Sequence, residues 1–453
     1  MGYAGWASTR DGRIRRDGAT SGTKTVVAIL TVGLLFAASG IADGAPAAKT
    51  KLVSMGFDGS AANDASFLPS VSAGGRYISF TSVASNLVPG DTNGKLDVFV
   101  SDRQTGTISR VSVSSSGGQA NGPSSISSIS ADGRYVAYYS DATNLVRGDT
   151  NETKDVFVHD RQTGTTTRVS VRSSGRQANR RSGWPAISAD GRYVAFASYA
   201  NNLVRGDTNH ASDVFVYDRR TGTISRASVP SRGGQANGYS GVPSISADGR
   251  YVAYDSDASN LVRGDTNDKV DAFVHDRRTG RTTRVSVRSN GDQVNGNALS
   301  ASISANGRYV AFYSKSANLV RNDTNHKFDV FVHDRRTGKT QRVSVSSNER
   351  QASRRSRDPS MSGDGRYVAF VSVDPNLDRS DTNRGWDVFV RDRQIGTTRR
   401  VSVNSSGDPG NGVSQWPSIS ANGKHVAFDS YASNLVADDT NNVVDLFVRG
   451  PLH

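Results

Sequence analysis

The tetrapeptide Asp-x-Phe-Val begins at Asp97, Asp155, Asp213, Asp271, Asp329, Asp387 and Asp445, so each copy starts 58 residues after the last (155 − 97 = 58). The spacing never drifts. One supersecondary unit has therefore been copied in register along nearly the whole chain. Such a unit buries its apolar face only against its neighbours, which points to a ring, stack or array. The period constrains the architecture strongly and the chemistry weakly, because a repeated scaffold names no reaction.

The unit around Asp213 predicts four strands, A to D. Ala186-Ile187-Ser188 is a short strand A opened by Pro185, and Ala189-Asp190-Gly191-Arg192 is a tight turn. Tyr193 to Ser198 is strand B, and a long polar loop from Tyr199 to Ser212 leads to strand C, Asp213 to Tyr217. The turn from Asp218 to Gly222 leads to strand D, Ile224 to Val229. Asp-Gly and Thr-Gly supply residues that tolerate positive φ. Pro69, Pro185, Pro243, Pro359 and Pro417 recur at strand A, a placement allowed at a strand's start or edge. Four antiparallel strands, seven times over, predict an all-β, seven-bladed β-propeller over residues 48–453.

Ser188-Ala-Asp-Gly-Arg-Tyr-Val-Ala-Phe196 followed by Asp213-Val-Phe-Val-Tyr-Asp-Arg-Arg-Thr-Gly222 resembles the TolB-type WD-like propeller repeat. That family's pattern runs Ser-Pro-Asp-Gly-x-x-Ile-Ala-Phe, then a strand and Asp-x-x-Thr-Gly. The resemblance covers residues 50 to 449. It implies the propeller fold and, since family members bind proteins or peptides, a protein partner. Two features depart from it. Ala189 stands where the family has Pro, and the loop between strands B and C is much longer than the family's short turn.

Ahead of the repeats, Arg10, Arg13, Arg15, Arg16 and Lys24 precede an apolar run from Thr25 to Ala38 and the small-residue stretch ending Ala45-Pro46-Ala47. This is the order of a secretory signal. Residues 1–47 are read as that signal, with an uncleaved anchor as the alternative, and either form exports the repeats to the cell envelope or beyond. The chain has no Cys, which excludes disulfides, thiolate metal sites and cysteine nucleophiles.

In a blade of strand order A-B-C-D, the B–C loop and the loop from D to the next A leave from one side. Here those loops are long and the opposite turns are tight, so a binding site belongs on the long-loop face. The recurrent Asp-Thr-Asn-x-x-x-Asp of the B–C loop is the first candidate. Its copies are Asp91/Asn93/Asp97, Asp149/Asn151/Asp155, Asp207/Asn209/Asp213, Asp265/Asn267/Asp271, Asp323/Asn325/Asp329, Asp381/Asn383/Asp387 and Asp439/Asn441/Asp445. Three oxygen-bearing side chains begin a calcium set, but no distal Glu or fixed Gly completes it. Local capping by Asx turns accounts for the same residues. Trp184 and Trp416 at matching positions before Pro could stack on a ring or cap a blade's end. Arg180, Arg181, Arg354 and Arg355 make two D–A loops basic and break the ring's symmetry, within a net charge of +13. His159, His275 and His333 share one position that other blades fill with Ser101, Tyr217 or Arg391, which reads as a solvated strand end.

The leading functional expectation is an exported, monomeric, non-enzymatic scaffold with no cofactor. It would bind a protein or a cell-envelope polymer, rather than nucleic acid, through its long-loop face. Two alternatives stay open: a lyase-like extracellular carbohydrate enzyme with a central-channel site, and a calcium-stabilised structural or adhesive ring. The ends of the chain carry one more expectation. Lys51 to Met55 aligns with strand D, whereas the last unit stops at strand C, Asp445 to Val448. Antiparallel pairing of these two segments would complete the seventh blade.

Overall fold

The computed structural model describes residues 47–378, 383–437 and 439–453. All but Ala47 of the expected signal lies outside these residues. The described chain forms seven four-stranded antiparallel sheets arranged as the blades of a propeller. Blade three comprises Ser182–Ile187 (A), Tyr193–Ser198 (B), Asp213–Asp218 (C) and Thr223–Arg226 (D). The A strands of successive blades touch one another, so they form the innermost layer.

Strands B and C are the most apolar and the most buried, and the core lies between neighbouring blades. One cluster joins Val216 and Val214 of blade three to Val252, Tyr254 and Phe273 of blade four. Within each blade a B-strand aromatic stacks on the Phe of Asp-x-Phe-Val, as in Tyr254 on Phe273 with centroids 6.0 Å apart. Burying one such ring contributes about 2–3 kcal/mol. The Phe of the tetrapeptide is thus the repeated anchor of the core.

The Gly-Arg-Tyr motif joins blades at the short-turn face. Gly191 has φ +71°, and a Cβ there would lie 2.0 Å from the Tyr135 ring of the preceding blade. Arg134 and Arg219 cover that ring, at 4.8 and 4.2 Å from its centroid. Arg219 also donates to Gly191 O at 2.6 Å.

The departure at Ala189 has a physical reason. Ala189 N donates to Ala247 O, Ala247 N to Ala305 O, Ala305 N to Gly363 O and Gly363 N to Ala421 O. Asn422 N then donates to Ala73 O, Ala73 N to Ala131 O and Ala131 N to Ala189 O. These bonds, 2.8–3.2 Å long, form a closed circle through all seven blades. Proline has no N–H, so it could not serve at these positions.

Strand A differs from the sequence expectation. It starts at Ser182, not Ala186, and Pro185 lies in its middle. The pairing skips from Gly183 to Ala186, so Trp184 and Pro185 form a bulge, with Trp184 at φ +54°. Proline fits there because a bulged edge strand asks it for no ladder donor.

The ring closes as expected, with a shift in bounds. Lys49–Leu52, rather than Lys51 to Met55, is the strand, and it pairs antiparallel with Asp445–Gly450. The last blade therefore runs Lys49–Leu52, Asp445–Gly450, Val426–Ser430, Ser414–Ile419.

Candidate functional site

The Asp-Thr-Asn loops fold around an arginine that sequence spacing alone did not bring to them. In blade one, Arg110 at the end of strand D places one nitrogen 2.9 Å from Asp91 and 3.5 Å from Asp97. Arg168 bridges Asp149 and Asp155 at 3.0 and 3.3 Å, and Arg226 bridges Asp207 and Asp213 at 3.6 and 2.9 Å. Arg284 does the same for Asp265 and Asp271, and Arg342 for Asp323 and Asp329. In blade six Arg400 meets Asp378 and Asp387, and Asp381 lies outside the described residues.

The asparagines, considered from the sequence both as oxygen ligands for a cation and as Asx caps, make capping bonds. Asn93 Nδ2 donates to Asp97 and to Ala120 O, and its Oδ1 accepts from Lys95 N. Asn151 repeats this with Asp155, Ala178 O and Thr153 N, and Asn209 with Asp213, Ala236 O and Ala211 N. Asn267 does so with Asp271, Val294 O and Lys269 N, and Asn325 with Asp329, Ala352 O and Lys327 N. In blade six Asn383 donates to Gly410 O at 2.7 Å and accepts from Gly385 N at 2.6 Å. Asn441 donates to Asp445 and to Ala62 O, and accepts from Val443 N. The physical reason is local. An Asn amide two residues ahead of a free N–H closes an Asx turn with its oxygen, which leaves the NH₂ to face the carboxylate. In blades one to six an arginine side chain stands beside the carboxylates of these loops.

The strand-C Asp of each set is buried. Burial holds the carboxyls of Asp155 and Asp329 up at about 6, against the lowering effect of the Ser, Asn and Arg groups around them. At the opposite face the sign reverses. Arg192 holds Asp218 with two bonds of 2.9 and 2.7 Å, and this pairing lowers Asp218 to about 2.

The other candidates fall in different places. Trp184 and Trp416 are 41% and 39% exposed, but they stand at bulges within the innermost strands, not ahead of them. Arg180, Arg181, Arg354 and Arg355 are exposed in the D–A loops, and Arg181 covers the Tyr199 ring at 4.4 Å. Among the described residues no cation–π contact joins either arginine pair to a tryptophan. The histidines overturn the expectation of a solvated strand end. His159, His275 and His333 are buried, and Nδ1 of His159 lies 2.9 Å from Thr166 Oγ1. Burial lowers all three, because the desolvated imidazole resists protonation.

Two buried acids were not singled out by the sequence reading. Asp255 and Asp429 occupy the same strand-B position in blades four and seven, and the Oδ1 atom of each is buried without a hydrogen-bond partner. Burial pushes Asp255 up to about 7 and Asp429 up to about 8. Their folded values lie above the unfolded one. Their stabilising contribution is therefore complete below about pH 4 and lost as pH rises through roughly 7 to 8. Urea titrations should show stability falling by a few kcal/mol toward about pH 9, and D429N should flatten that fall. Identical pH profiles for wild type and D429N would refute the assignment.

No protein-family profile and no curated protein sequence matches the chain. Solved structures do. The β-propeller domain of the trilobed protease from Pyrococcus furiosus is similar with a TM-score of 0.52 at 10% identity, over 85% of this chain and 93% of that one. An oligogalacturonate lyase from Vibrio parahaemolyticus gives 0.50 at 11% identity, over 89% and 90%. TolB from Acinetobacter baumannii gives 0.40 at 14% identity, over 74% of this chain and 62% of that one. The repeat motif resembles the TolB-type pattern, and the architecture is that of a seven-bladed β-propeller. At these identities the likenesses are of fold alone.

Proposed function

We propose that this chain is an exported, non-enzymatic propeller that binds an anionic macromolecule, an acidic protein or envelope polymer, through its long-loop face. The observation that carries the reading is the distribution of paired and unpaired arginine. The Arg of Gly-Arg-Tyr is tied to a strand-C Asp, and the strand-D Arg to the Asp-Thr-Asn loop. Arg147, Arg205, Arg263, Arg321 and Arg379 recur at one position of the B–C loop in five successive blades, and Arg379 lies outside the described residues. The first four are exposed and make no ion pair among the described residues. Arg180, Arg181, Arg354 and Arg355 add charge to the same face. Blades one and seven carry Pro89 and Ala437 at that position, so the charge forms an arc. A one-sided basic arc attracts an extended anion and raises its encounter rate.

Heparin retention offers a direct test. Replacing Arg147, Arg205 and Arg263 with Ser should weaken retention at least about tenfold and flatten its salt dependence. Replacing Arg192, which is held by Asp218, should leave retention unchanged in protein that stays folded. Equal retention of the wild type and the triple variant would refute the long-loop surface.

The lyase-like reading draws on Asp255 and Asp429, acids with values near neutrality in only two of seven otherwise similar blades. Catalysis needs unlike residues converging on one point. Failure to cleave acidic oligosaccharides under any condition that preserves folding would end this reading.

A further inference from the structure

The seventh blade breaks the arginine pattern, because its strand D comes from the start of the chain. Arg110 sits opposite Phe99, Arg168 opposite Phe157 and Arg226 opposite Phe215. In blade seven the residue in that register, opposite Phe447, is Leu52. A second replacement accompanies it. Gln119 pairs with Val113 and accepts from Arg110 Nη1 at 2.9 Å. Its counterpart, paired with Met55, is Ala61.

The acidic half of the cluster is retained. Asp445 is fully buried, accepting from Ser54 Oγ and Asn441 Nδ2, each at 2.6 Å. Asp439 is only 8% exposed, yet its carboxylate has no hydrogen bond or ion pair among the described residues. In five other blades the same two carboxylates converge on one guanidinium nitrogen. Burying a carboxylate with no counter-charge is costly, and here the described residues supply none.

We propose that Asp439 and Asp445 form a binding site for an external guanidinium group, supplied by a small molecule or by an arginine side chain of a partner. The five intact clusters serve as its template. They show that this loop geometry accepts a planar nitrogen donor between two carboxylates, the arrangement in which guanidinium outperforms a point charge. Leu52 and Ala61 are shorter than the Arg and Gln they replace and carry no side-chain donor to stand between the two carboxylates.

The test compares the full repeat chain with L52R and D439N. Millimolar methylguanidinium should raise the wild-type melting temperature by a few degrees over sodium chloride of equal ionic strength. L52R supplies the group from within and should melt higher than wild type without responding to methylguanidinium. D439N should fold, because it removes a charge with no partner, and should also lose the response. A short arginine-containing peptide that matches or exceeds methylguanidinium identifies a partner's side chain as the source, and a peptide without effect identifies a small molecule. The proposal is overturned if wild type does not respond or if D439N responds equally. It is also overturned if calcium gives a larger shift that the same variants abolish, which would define a metal site instead.

Discussion

Deleting residues 48–56 should turn the propeller into an aggregating species, with a stability loss on the order of 5 kcal/mol in whatever remains soluble. The segment supplies strand D of blade seven, with Lys51 opposite Val448 and Leu52 opposite Phe447. Beyond the strand, Val53 N donates to Leu446 O at 2.7 Å and Ser54 Oγ donates to Asp445 at 2.6 Å. Thr50 Oγ1 donates to Val403 O in blade six, so the strand also bridges two blades. Without it, the C strand of blade seven offers unpaired backbone groups to any other chain. Light scattering and thermal melts would decide the matter. A truncated protein that stays monomeric and melts like its parent would show that closure does not depend on this strand.

Asp213→Ala should cost roughly 3–5 kcal/mol, the range for breaking one side of a buried ion pair. Asp213 is fully buried. It accepts from Ser228 Oγ, from Asn209 Nδ2 at 3.0 Å and from Arg226 Nη1 at 2.9 Å. Its loss strands a guanidinium that is itself buried, with Asp207 at 3.6 Å as its remaining carboxylate. Asp445→Ala provides the comparison, because Leu52 leaves no guanidinium to strand there. Its cost should be smaller by about 2 kcal/mol. Urea denaturation of both variants measures the difference, and equal losses would show that the carboxylate's value does not lie in holding the arginine.

Much of this was legible in the residues. The 58-residue period, the Asp-Gly and Thr-Gly turns and the apolar tetrapeptides are local signals, and each marks the strand it belongs to. The Asx turns at Asn93 and its equivalents are local too, since each closes on a backbone N–H two residues on. Strand A was cut short in that reading because Ser182-Gly183-Trp184 has little β character of its own. Its first residues are held by pairing with Ala197 and Ser198 across a bulge, a contact outside the local pattern. The histidines misled for a similar reason. A position that varies among Ser, Tyr, Arg and His looks like surface, yet the strand end packs under a loop of the preceding blade, where Thr166 Oγ1 also donates to Val113 O at 2.5 Å.

The candidate site divides along the same line. The number of blades, the order of strands, the long-loop face and the joining of the chain's two ends follow from repetition and turn chemistry, which are read along the chain. Which charges are free depends on how the folded chain brings them together. Arg226 reaches Asp207 and Asp213 across strands and loops, while Arg205 in the same repeat reaches no carboxylate among the described residues. Ion pairing depends on separation through space within a few ångströms, and no spacing along the chain reports that distance. The odd seventh cluster has the same origin. Leu52 and Asp445 lie at opposite ends of the sequence, and closing the ring brings the short side chain to the place where six other blades hold an arginine.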